Sequence, residues 1–288
     1  MYSDFANIEL AELVDITKYK RLSVETAEAL RYTTSLVDKA DTIHYCGSLL
    51  SFDSNGNLVS ANFCRERFCP MCQRRKALRT YAEISRLWEV MQAEYSFVHL
   101  VLTIKNVNGR ELPDTINHLF KCSSKMFKMP RFKQGVKGVL RCLEVSYNAD
   151  NNTYHPHLHC LCAVRKSYFT SRYYLKHEEL REMWAMSIKA DYTPQISVKK
   201  CDDGAIAEVA KYCVKPLALD LPTDRRARVL DVLNFALKGR RMLQSYGVVR
   251  ETARALKIDL EGDGEDLPND GAKSHFCYDY AQNLYTEC

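Results

Sequence analysis

Residues 154–164 read Tyr-His-Pro-His-Leu-His-Cys-Leu-Cys-Ala-Val, with His157 and His159 two apart. Alternate side chains of an extended strand share a face, so both imidazoles project from one side, and the apolar continuation can hold the strand in a core. Two imidazoles fixed in this way are half of a divalent-metal site. A second cluster, Cys64-Arg-Glu-Arg-Phe-Cys69-Pro-Met-Cys72, places three thiols within nine residues. Cys69 and Cys72 have knuckle spacing, and four thiolates suit a closed tetrahedral zinc site. Cys46 is the expected fourth ligand, with His44 competing at a neighbouring position. A closed set leaves no open coordination position, so such a zinc would be structural. The third group is Glu208 and Tyr212 in Ala-Ile-Ala-Glu-Val-Ala-Lys-Tyr-Cys-Val-Lys-Pro (205–216). On a helix they share a face. A tyrosine can be a nucleophile and a nearby carboxylate a general base. Taken alone, however, the pair reads as two residues of an amphipathic helix.

The chain has 288 residues, 46% of them hydrophobic, enough for one large or two modest domains. It has no stretch of about 18 consecutive apolar residues, which argues against a membrane span. Its first residues lack the basic-then-apolar order of a secretory signal. Twelve cysteines in that context predict reduced thiols in a cytosolic protein, some of them metal ligands. The net charge of +5 hides an asymmetry. Residues 259–288 carry eight acids and one base, a net of −7, so residues 1–258 stand at +12. Such a surface suits a polyanionic partner. The bases concentrate at 65–79 (Arg65, Arg67, Arg74, Arg75, Lys76, Arg79) and at 115–143, where seven bases meet no acid. A solvated surface is the plainer reading of any single run.

Helical spacing is expected at 6–40, 74–94, 113–129, 176–190, 204–215, 223–238 and 248–257. Strands are expected within 42–63 around Ser54-Asn55-Gly56, and at 97–104, 136–148, 154–164 and 195–201. Ala149-Asp150-Asn151-Asn152-Thr153 is good turn chemistry for a hairpin. This mixed order predicts an α+β fold built on an antiparallel sheet. The division expected is an N-terminal helical segment and cysteine module with a basic helix over 1–95, a main domain over 96–258, and a loosely ordered acidic tail over 259–288.

The order of motifs, a cysteine knuckle with a basic flank, then a His-hydrophobic-His strand, then Glu-x-x-Lys-Tyr, resembles the replication initiator (Rep) proteins of rolling-circle plasmids of Gram-positive bacteria, within the HUH endonuclease superfamily. The resemblance runs from about Cys46 to about Leu260. It implies a central antiparallel sheet of HUH endonuclease type with flanking helices and a small N-terminal zinc module. It implies that His157 and His159 hold a catalytic Mg²⁺ or Mn²⁺ with an acidic third ligand on the adjoining strand. Glu144 fits that role: a turn between Asn151 and Asn152 would set it opposite His159. His155 is the alternative. Tyr212 corresponds to the nucleophile, which forms a 5′-phosphotyrosine and frees a 3′-hydroxyl primer. Glu208 corresponds to the acid that activates water at termination. Arg65, Arg67, Arg74, Arg75, Lys211 and Lys215 are candidate DNA contacts. The implied partners are single-stranded or extruded plasmid origin DNA with the host helicase and polymerase, in the cytoplasm and away from membranes. A related transposase or relaxase is an alternative, although relaxases usually carry the tyrosine before the histidine motif. The other is a non-enzymatic zinc-knuckle DNA-binding protein.

Overall fold

The computed structural model describes residues 3–201, 221–260, 267–268 and 270–288. The helix expected at 204–215, with Glu208, Lys211, Tyr212 and Lys215, lies outside the described residues. The described helices are α1 (Ser3–Leu30), α2 (Ala40–His44), α3 (Pro70–Met91), α4 (Leu112–Lys128), α5 (Pro130–Gly135), α6 (His177–Ile188), α7 (Thr223–Leu237) and α8 (Val248–Ala255). The strands are β1 (Leu49–Phe52), β2 (Leu58–Ala61), β3 (Tyr95–Thr103), β4 (Val136–Asn148), β5 (Thr153–Arg165), β6 (Ile196–Lys200), β7 (Leu243–Gly247), β8 (Ser274–Asp279) and β9 (Leu284–Glu287). All pairings are antiparallel, in sheets ordered β2-β1-β8-β9 and β6-β3-β5-β4-β7. The chain divides into two compact units, one of residues 1–76, 216–234 and 263–288, the other of residues 77–215 and 235–262.

In the first unit, the helix expected over 6–40 ends at Leu30. The Thr33-Thr34-Ser35 run that follows offers hydroxyl and backbone donors, and the Asp231 carboxylate accepts them from Thr34 N (2.8 Å), Ser35 N (3.0 Å) and Ser35 Oγ (2.6 Å). Hydroxyl residues that bond outside the helix compete with its ladder, so the chain turns there. The β1–β2 turn forms where Asp53 Oδ1 accepts from Asn55 N and Asn57 N, with Gly56 at φ +76°.

The C-terminus differs from the expected loose tail. Among the described residues, 274–279 and 284–287 form a hairpin that extends the first sheet through β1. The acids lie mostly before residue 271, and the stretch after it alternates enough apolar surface to pair. Phe276 meets Phe52 edge-on and Tyr278 is buried. The linear division at 95/96 and 258/259 is therefore corrected: the first unit takes residues from both ends. Cys277 and Cys288 are joined in a disulfide, against the expectation of reduced thiols throughout. The other nine described cysteines are free.

In the second unit, β5 lies at the centre of its sheet, between β3 and β4. Both its faces are covered, which explains why its apolar run is continuous rather than alternating after His159. On one face Ile84, Leu87 and Trp88 of α3 pack with Phe97, Leu140 and Leu161. On the other lie α4 and α6. Helix α4 buries Ile116, Leu119, Cys122, Met126 and Phe127 at helical spacing, and its Lys121, Lys125 and Lys128 are exposed. Trp184 of α6 is fully buried and donates from Nε1 to Thr103 O at 2.7 Å.

Strand β7, which the sequence reading leaves unassigned, pairs with β4. It ends at Gly247, which has φ +55° and ψ −141° and starts α8. A Cβ there would sit 2.2 Å from Lys137 O. Both the dihedrals and the close approach demand glycine. Gly247→Ala should destabilise the protein by about 2–4 kcal/mol, measured as a lower urea midpoint at unchanged slope.

Candidate metal centres

The β4–β5 hairpin closes on a four-residue loop between Asn148 and Thr153. Asn148 Oδ1 accepts from Asp150 N and Asn151 N, and Asn152 takes φ +50°, which asparagine tolerates. Glu144 consequently pairs with His157, and Cys142 with His159. The expected pairing of 144 with 159 is corrected by two residues, because the hairpin turns between Asp150 and Asn151. An even slip leaves every side chain on its face, so Glu144 still meets both histidines.

Glu144, His157 and His159 bring one ligand atom each within 4.8 Å of one another. Glu144 Oε2 lies 2.8 Å from His159 Nε2 and 3.3 Å from His157 Nε2. Neighbouring donors about 2.1 Å from one small divalent ion stand roughly 3 Å apart, so the trio fits such an ion with little adjustment. The three side chains are 15%, 12% and 6% exposed, a rim position that a substrate oxygen can reach. Burial opposes ionisation of Glu144, but hydrogen bonds from His157 and His159 and their charge outweigh it and hold the carboxyl well below the usual carboxylate range.

The outer nitrogens are also engaged. His157 Nδ1 donates to His155 O (3.0 Å), which turns its Nε2 toward Glu144. His159 Nδ1 lies 3.1 Å from Nε2 of buried His99 on β3, their rings stacked 5.3 Å apart. Outer partners of this kind fix the orientation of metal-ligating imidazoles. His155 is held elsewhere, its Nδ1 2.8 Å from Asn106 Oδ1. His99 is the residue that sequence reading missed. Its only signal was one polar letter inside the apolar strand Phe-Val-His-Leu-Val-Leu, and nothing local said which face it took.

The second group is Cys46, Cys64, Cys69 and Cys72. Cys72 Sγ lies 3.6 Å from Cys46 Sγ and 3.7 Å from Cys64 Sγ. A tetrahedron with bonds of about 2.3 Å has edges of about 3.8 Å, so the donor set fits a closed four-sulfur site. Two backbone N–H groups point at the sulfurs, Cys64 N to Cys46 Sγ (3.3 Å) and Arg65 N to Cys72 Sγ (3.1 Å). Arg65 takes φ +60° to deliver the second. Hydrogen bonding with Cys64, then Cys69 and Cys72, and burial push the Cys46 thiol up. Four thiolates packed together therefore need a cation. His44, the competing ligand, stacks on Tyr280 instead. Behind the cluster, fully buried Lys20 of α1 donates to His44 O, to Cys46 O (3.0 Å) and to Tyr280 OH (3.2 Å). Burial lowers its ammonium to about 8 while the sulfurs of Cys46, Cys69 and Cys64 raise it.

The basic candidates are placed unequally. Arg65 and Arg67 are exposed. Arg74 is paired with Asp15 at 2.6 Å, and Arg75 lies over the Phe63 ring at 5.1 Å. Within 115–143, Arg131 is paired with Glu179 at 2.6 Å, and Arg141 is buried over the Phe120 ring at 3.8 Å. The charge run thus overstates the cations open to a polyanion. Among the described residues no helix is long and apolar enough to cross a membrane.

A family model described as "Replication protein" matches residues 55–283, a span holding both histidines, Glu144 and three of the four cysteines. Curated relatives include a "Protein rep" of Streptococcus pneumoniae serotype 2 (strain D39 / NCTC 7466), 33% identical over 85% of this chain and 81% of the relative. A "Protein rep" of Bacillus sp is 30% identical over 79% of this chain and 83% of its own length. A "Protein rep" of Staphylococcus aureus is 33% identical over 62% of this chain and 82% of its own length. No solved structure matches. The match spans the cysteine cluster and the paired-histidine strand alike, and the chain belongs to the replication protein family.

Proposed function

We propose that the chain is a plasmid replication initiator that nicks one strand of its origin through a covalent tyrosine intermediate, on a nuclease domain of HUH type. The observation that carries this reading is the convergence of Glu144, His157 and His159 on one oxygen-facing rim of the sheet, in a chain of the replication protein family.

A Mg²⁺ or Mn²⁺ ion bound by these three residues supplies Lewis-acid polarisation of the scissile phosphate. The remaining work belongs to the chain. Tyr212 is the proposed nucleophile: its phenolic oxygen bonds to phosphorus, the 3′-oxygen departs, and the phenolic proton is lost as the bond forms. The products are a 5′-phosphotyrosine and a 3′-hydroxyl that primes synthesis. Glu208 is the proposed base that directs water at termination. A phosphodiester must come close to a rim carboxylate and two imidazoles, so a single-stranded or extruded origin is the substrate of choice. Arg65, Arg67, Arg75, Lys211 and Lys215 are proposed backbone contacts, with Arg74 less available because of Asp15. Host helicase and polymerase are the proposed partners downstream. Zn²⁺ is the proposed occupant of the cysteine cluster, where soft donors and a closed tetrahedron favour it.

With an origin oligonucleotide and Mn²⁺, the wild-type protein should nick and form a covalent adduct on denaturing gels. Tyr212→Phe should lose the adduct completely; nicking at the wild-type rate in that variant would remove Tyr212 from its assigned role. Glu144→Gln should bind Mn²⁺ more than about tenfold weaker, read by electron paramagnetic resonance of free Mn²⁺. Glu208→Ala should nick normally but accumulate unterminated products in a plasmid replication assay.

Purified protein should carry one tightly held Zn²⁺ per chain by elemental analysis. Cys72→Ser should lose that zinc and unfold at lower temperature, since structural zinc sites contribute their binding free energy to folding. Retention of a full equivalent in Cys72→Ser would exclude the cluster as the zinc site.

A further inference from the structure

The contact between His99 and His159 carries a consequence for the Glu144–His157–His159 centre, and it rests on the metal-site reading above. His157 has its Nδ1 proton committed to His155 O, so its Nε2 lone pair faces Glu144 (3.3 Å). His159 is different. Its Nε2 lies 2.8 Å from an oxygen of Glu144, and an ionised carboxylate only accepts. Two proton arrangements satisfy its surroundings. With the proton on Nε2, His159 donates to Glu144, and Nδ1 must accept from His99 Nε2–H across 3.1 Å. With the proton on Nδ1, His159 donates to His99, and its Nε2 lone pair joins that of His157 beside Glu144. Ligation through Nε2 requires the second arrangement.

A carboxylate or backbone carbonyl beside Nδ1 could serve only the second arrangement, since neither can donate. An imidazole serves both. We propose that His99 is a positioning residue that exchanges donor and acceptor roles with His159, keeping a buried hydrogen bond intact whether His159 faces Glu144 as a donor or a metal ion as a ligand. The proton balance is explicit. On ligation the Nε2 proton of His159 leaves to solvent, the proton between the two rings moves from His99 Nε2 to His159 Nδ1, and His99 gains one at Nδ1. His159 and His99 both stay neutral, and the pair releases no net proton. The location explains why the exchange matters. His99 and His159 are 7% and 5% exposed, and a buried ring nitrogen without a partner costs about 1–3 kcal/mol.

Three full-length variants test this. His99→Phe keeps the ring volume and has no nitrogen. His99→Gln has both a donor and an acceptor. His99→Glu, ionised, only accepts. Mn²⁺ affinity by electron paramagnetic resonance should fall roughly 10–100-fold in His99→Phe and stay within a few-fold of wild type in His99→Gln, with zinc content unchanged as a folding control. Long-range ¹H–¹⁵N spectra should show His159 changing from the Nε2–H to the Nδ1–H form when a diamagnetic divalent ion, Mg²⁺, is added to wild type. His99→Glu should hold the Nδ1–H form before any ion is added. Wild-type affinity in His99→Phe, or equal losses in His99→Phe and His99→Gln, would overturn the proposal while leaving the metal site standing. If His157→Ala leaves Mn²⁺ binding unchanged, the metal-site reading itself falls, and the role of His99 falls with it.

Discussion

The register of the β4–β5 hairpin is the constraint on which the candidate centre depends. Pairing Glu144 with His157 brings a carboxylate and two imidazoles onto one face with no contribution from a loop. The ladder sets this geometry, and Asn148 and Asn152 fix where the ladder starts. A slip of one residue would send Glu144 to the face under α4, while a slip of two would only move it along the same face. The side chains then supply what backbone pairing cannot. His155 O and His99 Nε2 engage the outer nitrogens, and the inner ones turn toward Glu144.

Much of this arrangement could be read from the chain before any coordinates. The hairpin was legible because its two strands flank an Asp-Asn-Asn turn, and the period of two placed His157 and His159 together. The knuckle was legible because thiol spacing is local. Three features were not. His99 lies about 60 residues from His159 along the chain, and nothing local to either announces a pairing set by the β3–β5 register. The β8–β9 hairpin was obscured because the acids at 259–270 dominate the composition of a stretch whose later residues, Phe276 and Tyr278, pack well. Strand β7 is short, lies between two helices, and gains its place from Gly247 approaching Lys137 rather than from any apolar period. Charge was the least faithful guide. Runs of lysine and arginine read as one surface, yet Arg74, Arg131 and Arg141 are each occupied within the fold.

The cysteine cluster follows a different logic. Its donors come from the end of α2, the loop after β2 and the start of α3, and its surroundings come from further away still. Lys20 reaches it from α1, and Tyr280 and Tyr285 from the C-terminal hairpin. Tyr285 OH donates to Gly47 O, so the last strand of the first unit closes on the backbone beside Cys46. Both ends of the chain thereby converge on four sulfurs. This also explains why the linear division of the sequence fails. The family match begins at residue 55, after Cys46 and Lys20, while the packing around the sulfurs does not respect that boundary.

Strand β5 is hydrogen-bonded along both edges and packed on both faces. A strand in that position opens last: its amides exchange only in the rarest and largest fluctuations of a domain. His157 and His159 are therefore carried by the part of the second unit least able to deform. Control over when the centre acts cannot come from bending the ligands into and out of place. It must come from what is delivered to the rim, and when. The ligand strand works as a fixed anvil, and timing belongs to whatever moves against it.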